Sequence, residues 1–159
     1  MKGLVQRVNH ASVYVENKLI SSVSKGLLVF VGIFESDTEE TLQKFCQKVE
    51  NLRIFEDTNG KLNLSAKDIG AEILLISNFT LCTKAHSGNR PSFSAAANKA
   101  KAERLFESMP QFFTIQTKLG VFGADMKIQS EVFCHHLIPL VDLPLVVDVG
   151  HVRRIRAQR

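Results

Sequence analysis

A continuous apolar run bounded by glycines occupies residues 26–33 and reads Gly26-Leu27-Leu28-Val29-Phe30-Val31-Gly32-Ile33. A run of this kind is typical of a β-strand that is buried on both faces. A second apolar run, Ile73-Leu74-Leu75-Ile76, leads directly into the polar stretch Ser77-Asn78-Phe79-Thr80. The two runs predict two central strands of a sheet, the second of which ends in residues that can carry chemistry.

Shorter strands and two helices are predicted around these central strands. The valine-rich stretches 4–8 and 11–15 predict two strands separated by a bend, residues 16–18 predict a hairpin turn, and Asn59-Gly60 predicts another. Apolar residues that recur on one helical face indicate helices over about 38–53 and 95–109, the first with a capping-box-like start at Asp37 and Glu40. The sequence therefore predicts an α+β fold, a single domain of curved, barrel-like antiparallel sheets with two main helices.

Length and composition indicate the class of protein and its location. A chain of 159 residues with 45% hydrophobic content is expected to form one soluble globular domain. No apolar run is long enough for a membrane-spanning helix, and a charge follows too closely after the N-terminus for a signal peptide. The 3 cysteines are scattered, which argues against a disulfide framework. These features predict a cytoplasmic protein with no membrane partner.

The positive charge is concentrated at the C-terminus. Arg153, Arg154, Arg156 and Arg159 lie in a nine-residue stretch without an acid, whereas residues 1–150 balance 16 basic against 16 acidic side chains. We therefore expect a single domain over residues 1–150 and a basic tail over residues 151–159. Such a tail could meet phosphate groups or could simply be a solvated end that keeps the protein in solution.

Few residues suggest a cofactor, and one segment suggests a working site. The glycine-rich loops that bind dinucleotides or ATP are missing, and adjacent strand residues such as Cys134-His135-His136 point to opposite faces, so they do not converge on a metal ion. We therefore expect no bound metal ion, dinucleotide or ATP. Residues 77–80 place two hydroxyls, a carboxamide and backbone amides at the end of a rigid strand, where they could stabilise an oxyanion in acyl chemistry. The alternative is that the hydroxyls merely cap the strand.

Several motifs, in the same order along the chain, resemble the D-aminoacyl-tRNA deacylase family. The resemblance covers residues 1–128, about four fifths of the chain. It rests on Gln6-Arg7-Val8, Ala11-Ser12-Val13, the run 26–33, Asn51 to Asp57, Gly60 to Ser65, Ser77 to Leu81, Arg90-Pro91-Ser92-Phe93 and Phe122-Gly123-Ala124-Asp125-Met126.

The resemblance implies a homodimer that hydrolyses the ester between a D-amino acid, or glycine, and the 3′-terminal adenosine of tRNA. This reaction is a chiral proofreading step in translation and needs no cofactor. The resemblance places the reaction centre on Ser77, Asn78, Phe79 and Thr80, where Phe79 and Thr80 act largely through their backbone and the 2′-hydroxyl of the RNA assists. The implied substrate-binding residues are Arg7, Arg90, Pro91, Phe93, Phe122, Gly123, Ala124 and Met126. Arg7 could support the site from behind or could form a surface salt bridge, and stacking on Phe93 or Phe122 suits an unpaired base.

The chain departs from the family at two places. Asn78 stands where the family has Gln, which keeps the carboxamide and shortens its reach. The family's Gly-Pro dipeptide, by which the partner subunit rejects L-amino acids, is replaced by Cys134-His135 in an ungapped count or by Asp142-Leu143-Pro144-Leu145 after an insertion. A second hypothesis is therefore a catalytically impaired family member that binds RNA or a nucleotide.

Overall fold

The computed structural model describes residues 1–83 and 91–132, and beyond them the backbone of three short strands. One mixed sheet dominates these residues, and two helices pack on it. The strands of the sheet are β1 (Lys2–Val15), β2 (Lys18–Val23), β3 (Gly26–Gly32), β6 (Glu72–Ser77), β7 (Thr117–Leu119), β8 (Met126–Val132), β9 (Ile138–Pro139), β10 (Leu145–Val147) and β11 (Ile155–Arg156). β4 (Phe55–Glu56) and β5 (Leu62–Leu64) form a separate hairpin, and the helices are α1 (Glu39–Glu50) and α2 (Lys99–Ser108).

The first strand connects the two halves of the sheet. The N-terminal half of β1 pairs with β3 on one side and with β10 on the other, and its C-terminal half pairs with β2 and β8. Two strands were predicted here, but the structure forms one strand of 14 residues. At the position of the predicted bend, the pairing with β8 is irregular. Val8 pairs with Val132 and His10 pairs with Glu131, so Asn9 is the extra residue of a β-bulge.

The central strands are buried on both faces, as their apolar runs predicted. Leu27, Val29 and Val31 of β3 point toward the helices and join a core with α1 and α2. Leu28 and Phe30 point the other way, into the interior of the curved sheet. The same alternation occurs in β6, where Ile73 and Leu75 join the core with the helices and Leu74 and Ile76 join the interior of the sheet. Successive side chains of a strand lie on opposite faces. Each fully buried apolar side chain stabilises the fold by about 1.5–3 kcal/mol.

Side-chain contacts between β2 and β7 nearly close the sheet into a barrel. The hydroxyl of Ser21 donates to the carbonyl of Leu119 at 2.9 Å, and the ammonium of Lys118 donates to the carbonyl of Ser22 at 2.6 Å. The predicted α+β, barrel-like class is thus confirmed. The pairing is mixed and not antiparallel throughout, because β3, β6 and β7 run parallel. The segments containing α1 and α2 cross over between these strands, and a crossover of this kind gives parallel neighbours.

Both helices are shorter than the sequence predicted. The N-cap of α1 is Thr38, whose side chain accepts from Thr41 N, and the predicted cap Asp37 is wrong. Asp37 is buried and binds elsewhere: its carboxylate pairs with the Met1 ammonium at 2.5 Å and accepts from Phe34 N at 2.7 Å. Helix α2 begins at residue 99 and not near 95, because residues 95–97 bond to residues 33–35 in extended conformation. Neither helix has the length and apolarity needed to cross a membrane.

Candidate functional site

The candidate site begins where β6 ends. Asn78 N donates to the carbonyl oxygen of Val31 at 2.8 Å, so the pairing with β3 continues for one residue beyond the strand. The chain then forms a 3₁₀ turn over Phe79–Cys82, closed by a hydrogen bond of 3.2 Å from Thr83 N to Thr80 O. Because β6 is buried, it holds the first residues of this turn in a fixed position.

The carboxamide of Asn78 caps this turn. Its Oδ1 accepts from the backbone N–H of Thr80 at 3.0 Å and from the Thr80 hydroxyl at 2.5 Å. Asn is a favoured N-cap because its short side chain reaches such an orphan amide. The amide and the hydroxyl proton of Thr80 are therefore both engaged inside the turn. The N–H of Phe79 is the first amide of the turn and has no acceptor within it.

A cavity of about 440 Å³ lies against the turn. Its walls come from the end of β3, the segment 77–79, the segment 93–102 and the segment 122–126. The described residues that line it are Val31, Ile33, Ser77, Asn78, Phe79, Phe93, Ala96, Ala97, Lys99, Ala102, Phe122, Gly123, Ala124 and Met126. An apolar cavity with a few polar groups at one end suits an organic ligand such as a nucleoside.

Aromatic rings form much of the cavity wall. Phe79 and Phe93 meet edge to face, with ring centroids 5.2 Å apart and planes inclined by 71°. Phe79 remains 42% exposed, which is high for a phenylalanine. Phe122 is anchored from behind by the buried Phe106 of α2, at a centroid distance of 6.0 Å. Two separate ring surfaces are thus available to a planar ligand.

A glycine with a positive φ shapes another wall of the cavity, formed by residues 122–126. Gly123 has a φ of +70°, a conformation that L side chains rarely adopt, and Ala124 N donates to the carbonyl of Val121 at 3.3 Å across the same turn. This turn brings Phe122 and Ala124 to the cavity. The next residue in the wall, Met126, is the first residue of β8 and is buried.

The structure brings most of the sequence-predicted site residues to this one cavity. Those that line it are Ser77, Asn78, Phe79, Phe93, Phe122, Gly123, Ala124 and Met126. Thr80 and Pro91 are exposed and do not line it. Arg90 lies outside the described residues, as does Cys134-His135-His136. The roles that the resemblance implies for these residues stay predictions.

Arg7 lies away from the cavity. Its side chain is buried in β1, and its Nη1 donates to the carbonyl of Ile54 at 2.8 Å. Its Nη2 lies 3.6 Å from a carboxylate oxygen of Glu56, whose side chain is half exposed. Arg7 therefore ties β1 to residues 54–56, at the start of the β4–β5 hairpin.

Several lining residues were missed by the sequence analysis. Ala96, Ala97 and Ala102 line the cavity, and they resemble any other alanines in or before a helix. Val31 and Ile33 belong to the apolar run whose burial already accounts for them. Lys99 also lines the cavity, and a lysine at the start of a helix usually indicates only a solvated surface.

The thiols near the site are not activated. Cys82 ends the 3₁₀ turn, is buried, and lies 3.4 Å from the carbonyl oxygen of Ile33, and burial raises its pKa. Cys46 is fully buried in the core, as its place on the apolar face of the helix predicted, and burial raises its pKa to about 12. No group of three or more His, Cys, Asp or Glu side chains that could hold a metal ion occurs within residues 1–83 and 91–132.

Comparison with known protein sequences gives consistent matches. A family model described as D-Tyr-tRNA(Tyr) deacylase matches residues 4–132. A D-aminoacyl-tRNA deacylase of Dichelobacter nodosus is 47% identical over 131 residues, which cover 80% of this chain and 90% of that protein. A D-aminoacyl-tRNA deacylase of Caldicellulosiruptor bescii is 46% identical over 132 residues, with 80% and 88% covered.

Solved structures share the fold. A structure titled c-Myc DNA Unwinding Element Binding Protein superposes with a TM-score of 0.75 at 37% sequence identity, over 82% of this chain and 91% of that one. A probable eukaryotic D-amino acid tRNA deacylase superposes with a TM-score of 0.64, over 80% of this chain and 91% of that one. At 15% identity, the second likeness bears on the fold alone.

Proposed function

This chain belongs to the D-Tyr-tRNA(Tyr) deacylase family, and from this we propose that it hydrolyses D-aminoacyl-tRNA in the cavity beside the 3₁₀ turn. The observation that carries the proposal is the convergence of three distant segments, 77–79, 93 and 122–126, on that single cavity. The substrate is the ester between a D-amino acid, or glycine, and the 3′-terminal adenosine. No cofactor is required by the proposal.

The reaction replaces one C–O bond with another. Water attacks the carbonyl carbon of the ester, the bond to the ribose oxygen breaks, and that oxygen takes a proton. The products are the free D-amino acid and tRNA with its terminal hydroxyl restored. The described residues lining the cavity include one hydroxyl, that of Ser77, and no carboxylate or imidazole. We assign the proton relay to the 2′-hydroxyl of the terminal ribose, as the family resemblance implies.

The 3₁₀ turn supplies a donor for the developing oxyanion. The amide of Thr80 is engaged by Asn78, so the first amide of the turn, that of Phe79, which has no acceptor within the turn, is the better candidate. A backbone amide held in place before the reaction stabilises an oxyanion without reorganisation, which is the main advantage of such sites. In this arrangement Asn78 and Thr80 position the turn, and Phe79 contacts the reacting atoms.

The aromatic walls bind the terminal adenine. Unpaired RNA bases are recognised largely by stacking on aromatic side chains. Phe93 and Phe122 both line the cavity, and each is braced by a second ring, Phe79 and Phe106 respectively. A braced ring loses little freedom on binding, so its stacking energy is available to the ligand.

The proposed activity is tested by release of amino acid from charged tRNA. Purified protein is expected to release D-tyrosine from D-Tyr-tRNA much faster than the spontaneous rate, and L-tyrosine from L-Tyr-tRNA at close to that rate. Prior treatment with EDTA should leave the rate unchanged. No release above background from any D-aminoacyl-tRNA would leave the impaired, nucleotide-binding family member as the better description.

We further propose that the protein acts as a homodimer in the cytoplasm. The largely exposed Phe79 at the cavity edge is consistent with a second subunit that completes the site. Light scattering should then report about twice the mass of the 17.7 kDa chain. A strict monomer at micromolar concentration, together with full activity, would mean that the cavity of one chain is sufficient.

A further inference from the structure

One cation lines the cavity. Lys99 is the first residue of α2 and the only charged side chain among the described residues of the cavity wall. Its neighbours in the wall are alanines, phenylalanines and Gly123, which are neutral. Lys99 is exposed to solvent, so its charge is accessible to a ligand that enters the cavity.

Among the described residues, Lys99 forms no ion pair with a carboxylate. Lys101, two residues further along α2, pairs with Glu35 at 3.8 Å, and Lys118 pairs with Glu72 at 3.1 Å. Within residues 1–83 and 91–132, no carboxylate oxygen lies within 4.0 Å of the Lys99 ammonium. The cation is therefore available to an anionic group of a ligand.

The position of Lys99 indicates which group of the substrate it meets. A Cβ built on Gly123 would lie 4.0 Å from Cε of Lys99, so the lysine stands beside the 122–124 wall. The 3₁₀ turn with Asn78 and Phe79 forms a different wall. In aminoacyl-tRNA, the ester is on the 3′ side of the terminal ribose, and the phosphodiester is on its 5′ side. A ribose whose ester faces the turn can direct its phosphate to the other wall.

We propose that Lys99 binds the phosphodiester on the 5′ side of the terminal adenosine and thereby orients the ester toward the 3₁₀ turn. This inference rests on the proposed function, because it takes the nucleotide of that substrate as the ligand. Lys99 is then a residue that positions the substrate and adds preference for RNA over simpler esters. Lys99 therefore contributes to substrate binding and not to the chemical step, because the phosphate is not altered in the reaction.

Two small substrates test this role. D-tyrosine esterified to the ribose of adenosine 5′-monophosphate carries the phosphate, and the same ester of adenosine does not. Lys99→Ala is expected to raise KM for the phosphorylated ester about fivefold, a typical magnitude for one partly exposed ion pair, with kcat unchanged. KM for the adenosine ester should stay at its wild-type value, and Lys99→Arg should restore the preference for phosphate. With tRNA, Lys99→Ala should also reduce the slope of log(kcat/KM) against log salt by roughly 0.7–0.9.

Lys101→Ala is the matched control. It removes the same charge from the same helix at a residue that pairs with Glu35 and does not line the cavity, so it should leave the difference between the two esters unchanged. An equal rise in KM for both esters in Lys99→Ala would overturn the proposal, as would no change for either. Calorimetric titration with adenosine 5′-monophosphate and with adenosine makes the same comparison without turnover. If the purified enzyme releases no D-tyrosine from D-Tyr-tRNA, the proposed function fails on its own, whereas equal affinity for adenosine 5′-monophosphate and adenosine overturns the role of Lys99.

Discussion

Replacing Asn78 with alanine should impair catalysis and leave the fold intact. The change removes the oxygen that accepts from both the amide and the hydroxyl of Thr80. Each such hydrogen bond contributes about 0.5–1.5 kcal/mol net, and loss of an N-cap side chain costs about 1 kcal/mol of stability. The backbone bond from Asn78 N to Val31 O is retained, so the strand keeps its register. If the loosened turn loses about 1.4–2.8 kcal/mol of transition-state stabilisation, kcat falls about 10- to 100-fold.

Two further variants separate the cap from the carboxamide. Asn78→Gln keeps the carboxamide and is expected to retain most of the activity, and Asn78→Ser keeps a neutral N-cap acceptor and should recover most of the stability. Single-turnover release of D-tyrosine from D-Tyr-tRNA measures the chemical step, and thermal unfolding should show a Tm lowered by about 2–4 °C in Asn78→Ala. An Asn78→Ala enzyme with the wild-type rate would refute the reasoning and assign the carboxamide to structure alone.

Three other perturbations have defined outcomes. Gly123→Ala and Gly60→Ala each place a side chain at a φ near +70°, with open space around it, so each should cost about 1–2 kcal/mol in thermal or urea unfolding. Only Gly123→Ala should raise KM, because Gly123 lines the cavity whereas Gly60 lies in the β4–β5 hairpin. Equal kinetic constants for the two variants would show that the 122–124 turn has no part in substrate binding. Hydrogen bonds from backbone amides lower the pKa values of Asp57, Asp68 and Glu72 below those of free aspartate and glutamate side chains. The stability that these carboxylates contribute is therefore present above the unfolded-state pKa values and is lost as the pH falls through the folded-state values. Calorimetry should show a Tm that falls steadily below about pH 4.5, and Glu72→Gln should show a smaller fall than wild type. Changing Arg153, Arg154, Arg156 and Arg159 to Gln should lower the slope of log tRNA affinity against log salt concentration by up to about three to four units, with little change in kcat. Equal slopes for the wild type and the variant would leave the tail with only a solubilising role.

The sequence predicted the elements whose signals are local. The apolar runs at 26–33 and 73–76 identified the buried strands, and the ordered motifs identified most of the residues that meet at the cavity. Asp37 was mistaken for a helix cap because its actual partner, the Met1 ammonium, lies 36 residues away in sequence. The parallel pairing of β3, β6 and β7 was missed because strand direction depends on how the intervening helices cross over.

Prediction of the cavity residues from sequence has the same limit: only locally recognisable residues are found. Ser77 and Asn78 were identified because polar residues after an apolar strand are conspicuous in sequence. Lys99 was not, because its significance depends on its nearness to Gly123 and on the lack of a nearby carboxylate in the described part of the chain. Such facts arise only when segments 24 residues or more apart in sequence are brought together in the fold.

The long first strand also governs when the protein can fold during its synthesis. β1 is synthesised before the other strands of the sheet, yet its C-terminal half pairs with residues 126–132, which are made more than 100 residues later. Pairings between such distant parts of a chain form slowly because a large loop must close before any contact is gained. Until then, one edge of β1, with the buried residues Val8, Ala11 and Val13, has no neighbour to cover it. The nascent chain therefore carries an apolar strand with one unpaired edge until residues 126–132 are made, and this is the interval in which it most needs protection from aggregation.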